Sequence, residues 1–99
     1  MTDEEFAKII ALGHETRGVE FKPPGPLSNR PLAARVVRAV LGMVNRRDGG
    51  LVIIGVEEID DALDPVGLTE DDLATWSFDD VADRLAAYVE PSVSFEREV

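Results

Sequence analysis

Few side chains in this sequence are of the kinds that move protons, hold metal ions or grip phosphates. From Val19 to Lys22 apolar and charged residues alternate, so an extended strand here turns Val19 and Phe21 one way and Glu20 and Lys22 the other. A carboxylate and an ammonium two residues apart on one strand face form either an ordinary ion pair or, with further carboxylates, a metal site with a cation beside it to offset charge on a phosphodiester. Glu57 and Glu58 directly follow the apolar run from Leu51 to Val56, and ligand sites of open α/β sheets lie beyond the carboxyl ends of strands. His14, beside Glu15 in a turn, is a base, a metal ligand or a solvated surface histidine, the last being the commonest state of such a residue. Asn45 and Asp48 are explained by the turn they occupy.

Phosphate-binding chemistry is confined to one part of the chain. The formal net charge is −10, yet residues 1 to 50 carry eight Lys/Arg against six Asp/Glu, and residues 51 to 99 carry two against fourteen, so the halves stand at +2 and −12. A basic surface supplies most of the affinity of non-specific nucleic-acid binders, and the chain as a whole lacks one. Any phosphate-binding surface is therefore local, built from Arg17, Lys22, Arg30, Arg35, Arg38, Arg46 and Arg47. The acidic half serves solubility, or else faces away from phosphates or holds metal ions.

Ninety-nine residues with 44% hydrophobic content suit one domain with one modest core. The absence of cysteine excludes disulfides and thiolate metal sites. Nothing resembles a signal peptide, and the apolar runs are far below the ~18 residues of a membrane span, so a soluble cytoplasmic protein is expected.

The elements that must position these residues are legible from periodicity. Thr2 and Glu5 have capping-box spacing, and Phe6, Ile9 and Ile10 make the apolar stripe of a short helix ending at Gly13. PPGPLSNRP cannot pair as a central strand and is a loop, with Pro31 opening the next helix. From Pro31 to Asn45 the residues Leu32, Val36, Val37, Val40, Leu41, Met43 and Val44 cover about half the helical circumference, with Arg35, Arg38 and Gly42 opposite. The turn from Asn45 to Gly50 leads into LVIIGV, a short β-branched run that reads as a strand buried on both faces. It is expected to be central, flanked by the helix from Pro31 to Asn45 and by one from Phe78 to Val89. EEIDDALDP reads as an acidic loop, Val66 to Leu68 as a brief strand, and Thr69 as the cap of a single turn.

Ser77 with Asp80 opens an amphipathic helix whose Phe78, Val81, Ala82, Leu85, Tyr88 and Val89 share a core-facing side. Ser92 to Glu98 alternates, with Val93 and Phe95 inward, and reads as a last strand. Trp76 is expected to plug the core or an interface. The Gly-rich turn lies at a helix C-terminus, whose dipole repels anions, and GxxxxGK[ST] is absent, so an ATP-binding loop is not expected.

In this order and at these separations, HETRGVEFK, the long helix ending in Asn45, DGG, VIIGVEE and the later Gly67-Leu68 resemble the Schlafen-type AlbA_2 family, also described as a divergent AAA-like domain. The resemblance covers almost the whole chain. It implies an α/β (α+β) domain, a mixed β-sheet packed with about three helices. It also implies a nucleic-acid-binding module, DNA or RNA, often the N-terminal part of bacterial transcriptional regulators or helicase-related proteins. A further strand after Val99 is implied as well. Some Schlafen members are RNA endonucleases, and their three acids fall on Glu15, Glu20 and Glu57, the last where Asp is commoner. Glu15, Glu20 and Glu57 would hold Mg²⁺ or Mn²⁺, with Lys22 beside them. Nucleic acid would meet Arg17, Lys22, Arg35, Arg38 and Arg46. The chain departs from the family pattern at Gly42, Met43 and Val44, at Arg46 and Arg47, and in the loop after Glu58. Three functions stand side by side: a non-enzymatic nucleic-acid-binding domain, a divalent-metal-dependent endoribonuclease, and an acidic interaction or homodimerisation module.

Overall fold

The computed structural model describes residues 1–13, 18–86 and 95–98. The described chain runs α1 (Asp3–Ala11), β1 (Val19–Lys22), α2 (Arg30–Val44), β2 (Leu51–Ile54), β3 (Glu57–Ile59), β4 (Ala62–Asp64), α3 (Glu70–Thr75) and α4 (Phe78–Ala86). The architecture is α+β, with four helices and two small sheets among the described residues.

The helix starts are set by side-chain oxygens that accept otherwise orphaned backbone N–H groups. Thr2 Oγ1 accepts from Glu5 N at 3.1 Å, and Thr69 Oγ1 accepts from Asp72 N at 3.1 Å. Ser77 Oγ accepts from Asp80 N at 3.2 Å and donates to the Asp80 carboxylate at 2.8 Å. In α2 the cap is Asn29, whose Oδ1 accepts from Leu32 N at 3.3 Å, so the helix starts at Arg30 and Pro31 is its second residue rather than its first.

The sheet geometry differs from the mixed sheet expected. β1 and β2 pair in parallel, Val19 with Leu51 through Lys22 with Ile54, and β3 and β4 form a separate antiparallel hairpin. Among the described residues β2 has β1 as its one strand neighbour, not the two that a central strand would have. Nor is it buried throughout: Leu51 is 39% exposed, Val52 to Ile54 are half-buried, and full burial is reached only at Gly55 and Val56.

The core sits where α2 crosses β2 and meets the α3–α4 corner. Leu27, Leu32, Ala33, Val36 and Trp76 form it, with Val40, Val52, Ile54, Leu68 and Val81 packed around. Trp76 is 5% exposed and donates its indole N–H to the Gly25 carbonyl at 2.8 Å, tying the proline-rich loop to the helical corner. Leu27 N completes the tie by donating to Thr75 Oγ1 at 2.8 Å.

Three segments correct the sequence reading. Residues 57–64 are not a loop but the β3–β4 hairpin, turned by Asp60 and Asp61 at φ 50° and 63°. Val66 to Leu68 carries no strand. Phe78, expected in the core, is 50% exposed and stacks on Phe95 with ring centroids 4.7 Å apart. It is the first residue of α4, with no preceding turn of the helix to cover it. Tyr88, Val89, Val93 and residues 92–94 of the expected last strand lie outside the described residues, and Phe95 to Glu98 carry no strand. Arg97 Nε donates to the Trp76 carbonyl at 2.7 Å, which anchors this segment.

Candidate functional site

Registered neighbours in a parallel pair stand on the same face of the sheet. Glu20 pairs with Val52 and Lys22 with Ile54, so the acid-x-Lys pair shares the face on which Val52 and Ile54 join the core. The two side chains meet, Lys22 Nζ lying 3.4 Å from Glu20 Oε2, at side-chain exposures of 20% and 37%. Shared exposure to solvent keeps such a pair weak. At the end of β1 the Lys22 carbonyl accepts from both Gly55 N at 2.9 Å and Val56 N at 3.1 Å. This doubled acceptance bends the chain out of β2.

Glu57 is the first residue beyond that bend. It opens β3, opposite Asp64, and is half-buried. The structure thus brings Glu20 and Lys22 together on β1 and sets Glu57 past the carboxyl end of β2. Glu15, third member of the implied acidic set, lies outside the described residues, as do His14 and Arg17. Among the described residues no three His, Cys, Asp or Glu side chains gather as metal ligands.

The basic residues separate into two environments. Arg35 and Arg38 are exposed on α2, and neither forms an ion pair with any described residue. Arg46, after the helix end, is half-buried; its Nε is closed off from solvent and has no hydrogen-bond acceptor among the described residues. A Cβ placed on Gly18 would stand 3.7 Å from the Arg46 guanidinium, so this arginine crosses to the start of β1. The sequence places Arg46 among the phosphate-facing cations and does not show that contact. The glycine at 18 was the one hint in the sequence, and the structure uses it for a backbone turn at φ 86°.

A shallow cavity of about 520 Å³ opens elsewhere, between Leu27, Ser28, Thr75, Asp80, Asp83 and Arg84. It touches none of the residues picked out for chemistry. No described helix is long and apolar enough to cross a membrane. Compared with models of known protein families, with curated proteins and with solved structures, the chain matches none.

Proposed function

We propose that this chain is a nucleic-acid-binding domain of the AlbA_2 kind, from a transcriptional regulator or helicase-related protein. The observation that carries the reading is the surface of α2. From Asn29 to Arg47 the sequence holds Arg30, Arg35, Arg38, Arg46 and Arg47 and no acid, in a chain with 20 Asp and Glu. Arg35 and Arg38 stand in solvent without a described carboxylate partner. Cations left unpaired in so acidic a protein are suited to phosphates, and their separation by three residues puts them on neighbouring parts of one face.

The test is titration of labelled DNA and RNA at ~50 mM salt, with the Arg35→Ala/Arg38→Ala variant alongside. Wild type should bind with an affinity that falls as salt rises. The variant should bind more weakly, and with duplex DNA its slope of log K against log salt should be shallower by about 1 for each phosphate contact removed. Equal binding by the two proteins removes this face from the site. Absence of binding by wild type turns the assignment to the acidic interaction module, whose support is the −12 second half and the exposed Ile59 and Val66 around the acidic hairpin.

A second reading, the Mg²⁺- or Mn²⁺-dependent endoribonuclease, draws on the half-buried Glu20–Lys22 pair and on Glu57 at the strand end. It needs Glu15 to complete the acidic set.

A further inference from the structure

The solvent face of α2 has a particular layout. At 100° per residue, Arg38 stands at its centre, with Ala34 and Gly42 one turn before and one turn after it. Arg30 and Arg35 lie on opposite borders of the same face. All five are exposed, and a Cβ added at Gly42 would meet nothing within 4 Å. The opposite side of the helix, from Leu32 through Met43, is buried. Hence a 15-residue helix, held to the sheet along one side, offers a low central strip with one long cation in the middle and one at each edge.

We propose that this face of α2 docks in the major groove of B-form duplex DNA, Arg38 reaching base edges and Arg30 and Arg35 reaching the phosphates of the two groove walls. The inference rests on the nucleic-acid-binding reading and names the class of nucleic acid. The major groove, about 12 Å wide, admits an α-helix, and a central arginine matches the paired acceptors O6 and N7 of guanine. Small residues on both sides of Arg38 let the helix backbone come near the groove floor. Walls of opposite strands call for cations on both borders of the face, which Arg30 and Arg35 supply. The A-form RNA groove is too deep and narrow for side chains to read. Single strands are held by aromatic platforms, and this face has no aromatic residue.

The experiment compares three probes of one mixed sequence, a DNA duplex of about two helical turns, the matching RNA duplex and the single DNA strand, by fluorescence anisotropy at ~50 mM salt. Wild type should bind the DNA duplex about tenfold more tightly than either other probe. Ala34→Gln/Gly42→Gln, which leaves every charge in place and substitutes a good helix former, should lose that margin while melting at or above the wild-type temperature. Gly42→Gln alone, at a position open to solvent, gives the same readout should the double variant fold poorly. Equal affinity for the three probes, or undiminished duplex binding by the Gln variants, overturns groove docking and leaves a phosphate-binding surface. Failure of wild type to bind any probe removes the nucleic-acid reading as well.

Discussion

Gly67 donates its N–H to the Gly55 carbonyl at 2.9 Å, and the two backbones are so close that a Cβ on Gly55 would stand 3.1 Å from the Gly67 Cα and carbonyl carbon. Gly55 also holds φ 104°, where side-chain-bearing residues are strained. The chain therefore leaves the sheet at Gly55, forms the hairpin, and returns to touch the place it left.

Replacing Gly55 with Ala adds both the backbone clash and the φ strain, and should destabilise by about 3 kcal/mol or more. Gly67→Ala has a positive φ of 75° but open space around the new Cβ, so it should cost about 1–2 kcal/mol. Urea unfolding of the two variants checks the order, and an equal cost would show that Gly67 yields to a Cβ at 55.

Trp76→Phe keeps most of the buried area and deletes the donor to Gly25. The stranded carbonyl should cost about 1–3 kcal/mol. Trp76 is the single tryptophan, 5% exposed, so its fluorescence in the wild type should be blue-shifted and move red on unfolding. Emission of the native protein at the solvent-exposed wavelength would contradict the packing.

Leu32, 3% exposed within the core cluster, should lose about 2–5 kcal/mol on change to Ala. Ile53, half-buried in β2, should lose less than about 2 kcal/mol. Thermal denaturation of the pair measures how unequal the sheet and the helix interface are, and the reverse order would mean that β2 is covered by more than is described.

For the acidic set, Mn²⁺ or Mg²⁺ should raise the melting temperature if Glu15, Glu20 and Glu57 share a cation, and Glu20→Gln should abolish the rise. Metal-dependent cleavage of a structured RNA, lost in Glu20→Gln or Glu57→Gln, would promote the ribonuclease reading. Melting indifferent to divalent ions leaves Glu20–Lys22 as a surface ion pair.

The Met1 ammonium donates to both carboxylate oxygens of Glu98 at 3.0 Å, and this hydrogen bond, with the charge of Glu98, raises its pKa above the ordinary 8.0. A pKa raised in the fold means that the tether contributes fully below the unfolded value and is lost as pH rises through the folded one. Amide resonances of Phe95 to Glu98 should shift in that alkaline window; shifts completed near neutrality would show that Glu98 does not hold the ammonium.

The helices were legible because their signals are local: Thr2, Thr69 and Ser77 cap within three residues, and α2 shows its buried and exposed faces in its own spacing, although its cap, Asn29, was hidden behind the stronger signal of Pro31. The pairing of Val19 with Leu51 has no such signal, since parallel strands are joined through a distant crossover. The hairpin was hidden because Asp60-Asp61 takes the place of the usual Asn-Gly, and strands rich in Glu and Asp contradict β propensity. Glu20 and Lys22 were readable as neighbours from alternation. The Arg46–Gly18 approach was not, because it depends on how the helix end folds back over β1.

The closed neck at Gly55 and Gly67 separates the length of the hairpin from the integrity of the fold. The ends of an excursion are already fastened, so extra residues spliced between Asp60 and Asp61 lengthen a sealed loop and add only the slowly growing closure entropy, about 0.6 kcal/mol per doubling. That tip is accordingly a grafting point, where a reporter peptide can be carried beyond the fastened neck.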